Sequence, residues 1–185
     1  LAGKSPAGLE PVQARGGNLY FRTRAGAEGL FSKTNPRNTA WAKTTFYAPK
    51  AGTMYAMVGF DAPARSTRRC SGVPAAGEWS QCGTRIWVNG KEVKNPQTYK
   101  LAGQRRYEKH TWNSPDNEIS FDNEEFWWAR PPIPFQVKAG ENTILIEQPY
   151  TGNFQSWGVS FIPVKKSGDR WIADPSYYLK NKGEK

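Results

Sequence analysis

The apolar positions of this 185-residue chain fall in short runs of strand length, often with every second residue polar. Thr39–Ala48 is β-branched and aromatic and stops at Pro49. Thr53–Asp61 follows an Ala-Gly turn and reads as a strand buried on at least one face. Thr84–Val88 runs into Asn89-Gly90, a strong hairpin signal, and Lys91–Val93 returns from it. Pro134–Val137, Thr143–Glu147 and Ser156–Val164 supply three more strands, and Asn18–Thr23 a short early one. No window carries a helical period. Strands at irregular spacing with long insertions predict an all-β fold, a β-sandwich. No apolar run approaches the roughly 18 residues of a membrane span.

The stretches between these runs divide the chain. Residues 1–17 are rich in Gly, Pro and Ala and read as a linker or extended lead-in. Residues 18–165 form the predicted domain, and residues 166–185 a tail or short docking segment. Arg65–Cys82 and residues 94–130 are long polar insertions, the kind of loop that is usually functional or mobile. The chain starts at Leu1 without a signal peptide, as expected of a processed product or an excised domain.

Composition sharpens this in two ways. Eight Trp, eight Tyr and nine Phe are a heavy aromatic load, 14% of a chain whose whole hydrophobic content, these included, is 37%. The formal charge of +10 is distributed as basic flanks around an acidic stretch at 111–150, so it argues less for a polyanion than the total suggests. No zinc-finger spacing, helix-turn-helix pattern or RNP signature is present, and nucleic acid is not expected as a partner. Cys70 and Cys82 flank a loop-like segment. A disulfide there would add roughly 2–3 kcal/mol in the chain-entropy model, and two free thiols are the alternative.

Two motifs carry a resemblance. One is Arg85-Ile86-Trp87-Val88-Asn89-Gly90-Lys91-Glu92-Val93; the other runs Ala129-Arg130-Pro131-Pro132-Ile133-Pro134, then a strand, Gly140-Glu141-Asn142 and an apolar strand. With the Asn123-Glu124 loop between them, this order resembles the C-terminal β-sandwich domain of bacterial family-20 glycoside hydrolases, the β-N-acetylhexosaminidases. The likeness spans about residues 40–164. It implies a galactose-binding-like jelly roll, an accessory domain of a secreted, periplasmic or cell-surface glycoside hydrolase, and a structural calcium as a possible cofactor. It does not imply hydrolysis. The family's catalysis belongs to a separate (β/α) barrel, which at about 250 residues does not fit in this chain. Glu124-Glu125 are consecutive and would point to opposite faces of an extended stretch, and His110 stands without a nucleophile elbow. This chain alone is therefore expected not to be an enzyme.

The leading expectation is carbohydrate binding. Sugar rings stack apolar C–H faces on flat aromatic side chains, and their hydroxyls need polar partners. Trp79, Trp112, Trp127 and Trp128 lie in polar, loop-like sequence, with Arg68, Arg69, Asn113 and Arg130 as hydrogen-bonding groups. The same tryptophans could instead plug a sandwich end or pack on a catalytic partner, which would make the domain purely structural. A third reading has the basic surface hold a sulfated or uronic glycan. Asp116, Glu118, Asp122 and Glu124, in a repeated Asp-Asn-Glu, are the candidate calcium ligands. Trp41, Trp87 and Trp157 sit on strands and are expected in the core.

Overall fold

A computed structural model describes residues 17–22, 39–60, 75–80, 83–97, 132–149 and 157–177, with backbone only at Asn18, Tyr20, Arg22 and Trp157. The described chain is mostly strand: β1 (Asn18–Arg22), β2 (Thr39–Ala48), β3 (Gly52–Phe60), β4 (Arg85–Val88), β5 (Lys91–Val93), β6 (Ile133–Val137), β7 (Gly140–Pro149), β8 (Trp157–Ser167) and β9 (Arg170–Ala173). A 3₁₀ turn, Pro175–Tyr177, follows. The strands form two antiparallel sheets. One runs β1-β8-β3-β6, with β9 added to β8; the other runs β2-β7-β4-β5. The all-β architecture is consistent with a sandwich.

Alternation sets the inner faces. In β6 the buried residues are Ile133, Phe135 and Val137, with Pro134 and Gln136 exposed between them. In β7 the buried residues are Asn142, Ile144, Ile146 and Gln148. A two-residue period allows only this, because successive side chains leave a strand on opposite sides. Met54, Ala56, Val58 and Phe60 of β3, Val159 of β8 and Phe21 of β1 face Ala40, Phe46, Ala48, Ile86, Val88, Ile144 and Ile146 of the second sheet in one core. The register of β1 against β8 slips between Tyr20 and Arg22. The intervening Phe21 is 2% exposed and belongs to the core.

The Asn89-Gly90 turn is fixed by a second turn. Asn89 and Gly90 both have positive φ, 50° and 81°, the backbone of a type I′ hairpin. The Asn89 amide nitrogen Nδ2 donates to Asn142 Oδ1 at 2.8 Å, and the Thr143 amide donates to Asn89 Oδ1 at 3.0 Å. Asn142, fully buried, donates in turn to the carbonyls of Lys138 and Gly140 and accepts from the Lys138 amide. The two motifs quoted above thus meet in space, and their asparagines hold the β4-β5 hairpin to the β6-β7 turn.

The boundary drawn at residue 165 falls inside β8. That strand continues to Ser167, turns, and returns as β9 in the same sheet. Beyond it Asp174 accepts from the Ser176 amide and hydroxyl, which winds the 3₁₀ turn and sets Tyr177 edge-on to Phe46 at 6.0 Å. Burial, and then the nearby Asp174 charge, push the Tyr177 phenol above its ordinary value of 10.0. A group whose folded pKa is raised lends stability that is present below its unfolded pKa and lost as pH rises through the folded one. Urea midpoints measured from pH 8 to 11 should therefore fall less steeply above about pH 10 in Tyr177→Phe than in the parent. Parallel declines would contradict this.

Candidate functional site

The side of the β2-β7-β4-β5 sheet that faces away from the core carries the most chemically organised surface among the described residues. Its positions follow from the inward set. Because Ala40 and Ala42 share the core-facing phase of β2, Trp41 leaves on the other side. Because Ile86 and Val88 are buried, Arg85 and Trp87 do the same on β4. Two adjacent rows of paired residues result. The first is Trp41, Glu147 and Arg85; the second is Lys43, Leu145, Trp87 and Glu92.

Trp41 and Trp87 meet diagonally across β7, with ring centroids 5.8 Å apart and planes inclined at 31°. Both are half-buried. The Arg85 guanidinium lies 4.9 Å over the Trp87 ring, and its Nε donates to Glu147 Oε2 at 2.5 Å. The Glu147 hydrogen bond and charge push the arginine's already high pKa further up, against a smaller opposing effect of burial. Arg85 is a permanent cation, held over the Trp87 ring by its hydrogen bond to Glu147. Lys94 donates to Glu92 at 2.8 Å, and that hydrogen bond holds the Glu92 carboxyl below its ordinary range. Tyr47, 51% exposed, continues the same side of β2. At about 3.3 Å per residue it stands roughly 20 Å along the strand from Trp41.

These tryptophans were expected in the core, and the structure corrects that: strand phase puts Trp41 and Trp87 outside. The signal was present in the sequence, since each lies between two small or aliphatic residues that claim the inner face. Trp157, expected with them, is described only as backbone.

Trp79 is corrected in the opposite sense. It was expected at a loop tip, open to a sugar, and it is 3% exposed. Its ring stacks on Phe135 at 5.8 Å with planes 7° apart and meets Phe60 edge-on at 6.2 Å. Its Nε1 donates to the Val93 carbonyl at 2.7 Å. β6 and β5 are the last strands of their sheets on this flank, so Trp79 fills the seam between the two sheet edges and has no ring face left for a ligand. Asn95 pins the segment from the other side, with its amide donating to the Gly77 carbonyl and its Nδ2 to that of Glu78.

The other expected ligand contacts, Arg68, Arg69, Trp112, Asn113, Trp127, Trp128 and Arg130, lie outside the described residues. So do the candidate calcium ligands Asp116, Glu118, Asp122 and Glu124, the pair Cys70 and Cys82, and His110. Among the described residues no group of three or more His, Cys, Asp or Glu side chains could hold a metal ion. No helix among them is long and apolar enough to cross a membrane.

The fold and site define an all-β chain of two antiparallel sheets with an aromatic and charged outer face. Comparison with family models, curated proteins and solved structures yields no match.

Proposed function

We propose that this chain is a noncatalytic carbohydrate-binding module, an accessory domain of a secreted glycoside hydrolase, and that it binds glycan on the outer face of the β2-β7-β4-β5 sheet. The observation that carries this is the Trp41–Trp87 pair with Arg85 fixed beside it by Glu147. Sugar C–H faces would pack on Trp41 and on the part of Trp87 that Arg85 leaves open. Hydroxyls would take the arginine's remaining N–H donors and the carboxylates of Glu147 and Glu92.

The face is close to charge-balanced: Lys43, Arg85 and Lys94 stand against Glu92, Glu141 and Glu147. That balance suits a neutral glycan. The roughly 20 Å from Trp41 to Tyr47 suits a chain of several sugar units better than a single terminal residue. The resemblance to the accessory β-sandwich of family-20 glycoside hydrolases supports the same reading, and with it the secreted or periplasmic setting and a jelly-roll, galactose-binding-like topology.

Affinity electrophoresis through gels containing neutral polysaccharides tests the proposal. Retardation by at least one, competed by its oligosaccharides far better than by its monosaccharide, is the expected result. Arg85→Gln should weaken that retardation about tenfold, the loss of one charge-assisted hydrogen bond. No retardation on any neutral glycan would refute the proposal.

A further inference from the structure

The opposite outer face, on the β1-β8-β3-β6 sheet, carries a second aromatic cluster of different electrostatic character. Tyr55 of β3 and Trp171 of β9 reach each other across β8, with ring centroids 5.2 Å apart and planes at 45°. Tyr55 is 41% exposed. Lys166, paired with Trp171 in the β8-β9 ladder, places its Nζ 5.6 Å over the indole ring. Beside them Gln136 Nε2 donates to Thr53 Oγ1 at 3.1 Å, an exposed amide and hydroxyl on the same side of the sheet.

Charge separates this face from the other. Among the described side chains of β3, β6, β8 and β9, Lys166 is the one charged group in the outward phase, and no carboxylate of these strands shares that phase. The neighbouring cation Lys165 leaves β8 in the opposite phase and lies 3.9 Å from Asp174. Asp169 of the turn and Arg170, the first residue of β9, are neighbours in sequence and opposite in charge. An ammonium over a half-buried indole, with no acid partner among the described residues and with hydrogen-bonding groups nearby, is suited to a ring that carries its own negative charge.

We propose that Tyr55, Trp171 and Lys166 form a second glycan subsite, selective for anionic sugars. The sugar ring would stack on Trp171 and Tyr55, and its carboxylate or sulfate would pair with Lys166. A domain built this way holds a neutral chain on one face and an acidic chain on the other, and so bridges two glycans. The proposal extends the carbohydrate-binding reading to a separate surface and stands on its own residues.

The test is affinity electrophoresis in gels containing polygalacturonate or dextran sulfate, which separate carboxylate from sulfate recognition. The wild-type chain should be retarded by at least one, with retardation falling several-fold as NaCl rises from about 50 to 300 mM, because exposed charge pairs are screened. Lys166→Gln and Trp171→Ala should each weaken it about fivefold or more. Lys91→Gln, which removes an equal charge from an exposed residue of β5, should leave it intact. Absence of retardation on both acidic gels would overturn the proposal. So would retardation that survives Lys166→Gln, or that Lys91→Gln reduces as much. Neutral gels run in the same series read the Trp41–Trp87 face separately, so failure of either site is told from failure of the other.

Discussion

Trp79→Ala should destabilise the fold by about 3–5 kcal/mol, the range for truncating a large buried aromatic. The residue fills the seam between the two sheet edges, where it contacts Phe135 and Phe60 of one sheet and hydrogen-bonds the Val93 carbonyl of the other. The variant loses the transfer energy of the indole, leaves a cavity between rigid strands, and strips a carbonyl of its donor. For a chain of this size the thermal midpoint should drop by about 10 °C or more. Trp79→Phe keeps a ring against Phe135 but loses the hydrogen bond and part of the buried ring volume, so it should cost less, about 1–3 kcal/mol. Chemical denaturation of the three proteins checks this. Equal stability of Trp79→Ala and the parent would show that the seam is not held by this ring.

Asn142→Ala is the second large effect, about 2–4 kcal/mol. Asn142 is fully buried, and its side chain makes four hydrogen bonds: two to the carbonyls of Lys138 and Gly140, one from the Lys138 amide and one from Asn89. Alanine fills almost the same backbone space and satisfies none of them. The cost is the desolvation of groups left without partners, which exceeds the net value of the bonds themselves. Because Asn89 loses its anchor, the β4-β5 hairpin should loosen as well. Amide hydrogen exchange should quicken at Asn89 and Thr143, whose main-chain atoms form the hairpin-to-β7 contact. A variant that loses stability without faster exchange at Asn89 would contradict the coupling of the two turns.

The strands were largely legible in the sequence. Where a strand has one face in the core, alternation marks it: Thr39–Ala48 has the bounds of β2, and Asn89-Gly90 makes the turn its residue types require. The β8-β9 hairpin was not legible. Lys165, Lys166, Ser167 and Arg170 are exposed there, so the segment shows no apolar period and looks like a tail.

The tryptophans show a different limit. Hydrophobicity alone places Trp41 and Trp87 inside, whereas the phase set by Ala40, Ala42, Ile86 and Val88 places them outside. Phase is the stronger constraint, because one residue of slip would turn the whole inner set toward solvent. Trp79 lies among Gly, Glu and Ser in sequence without strand periodicity. Its burial comes from two sheet edges brought together by the fold, and no local pattern reports such a contact.

The central claim is that the Trp41–Trp87 face binds glycan, and the double variant Trp41→Ala/Trp87→Ala tests it most directly. Both residues lie outside the core, so the variant should keep the antiparallel-sheet circular dichroism of the parent. On the neutral polysaccharide that retards the parent, its retardation should fall by at least about tenfold, the equivalent of about 1.4 kcal/mol of lost stacking. A folded double variant that is retarded as strongly as the parent would contradict the account.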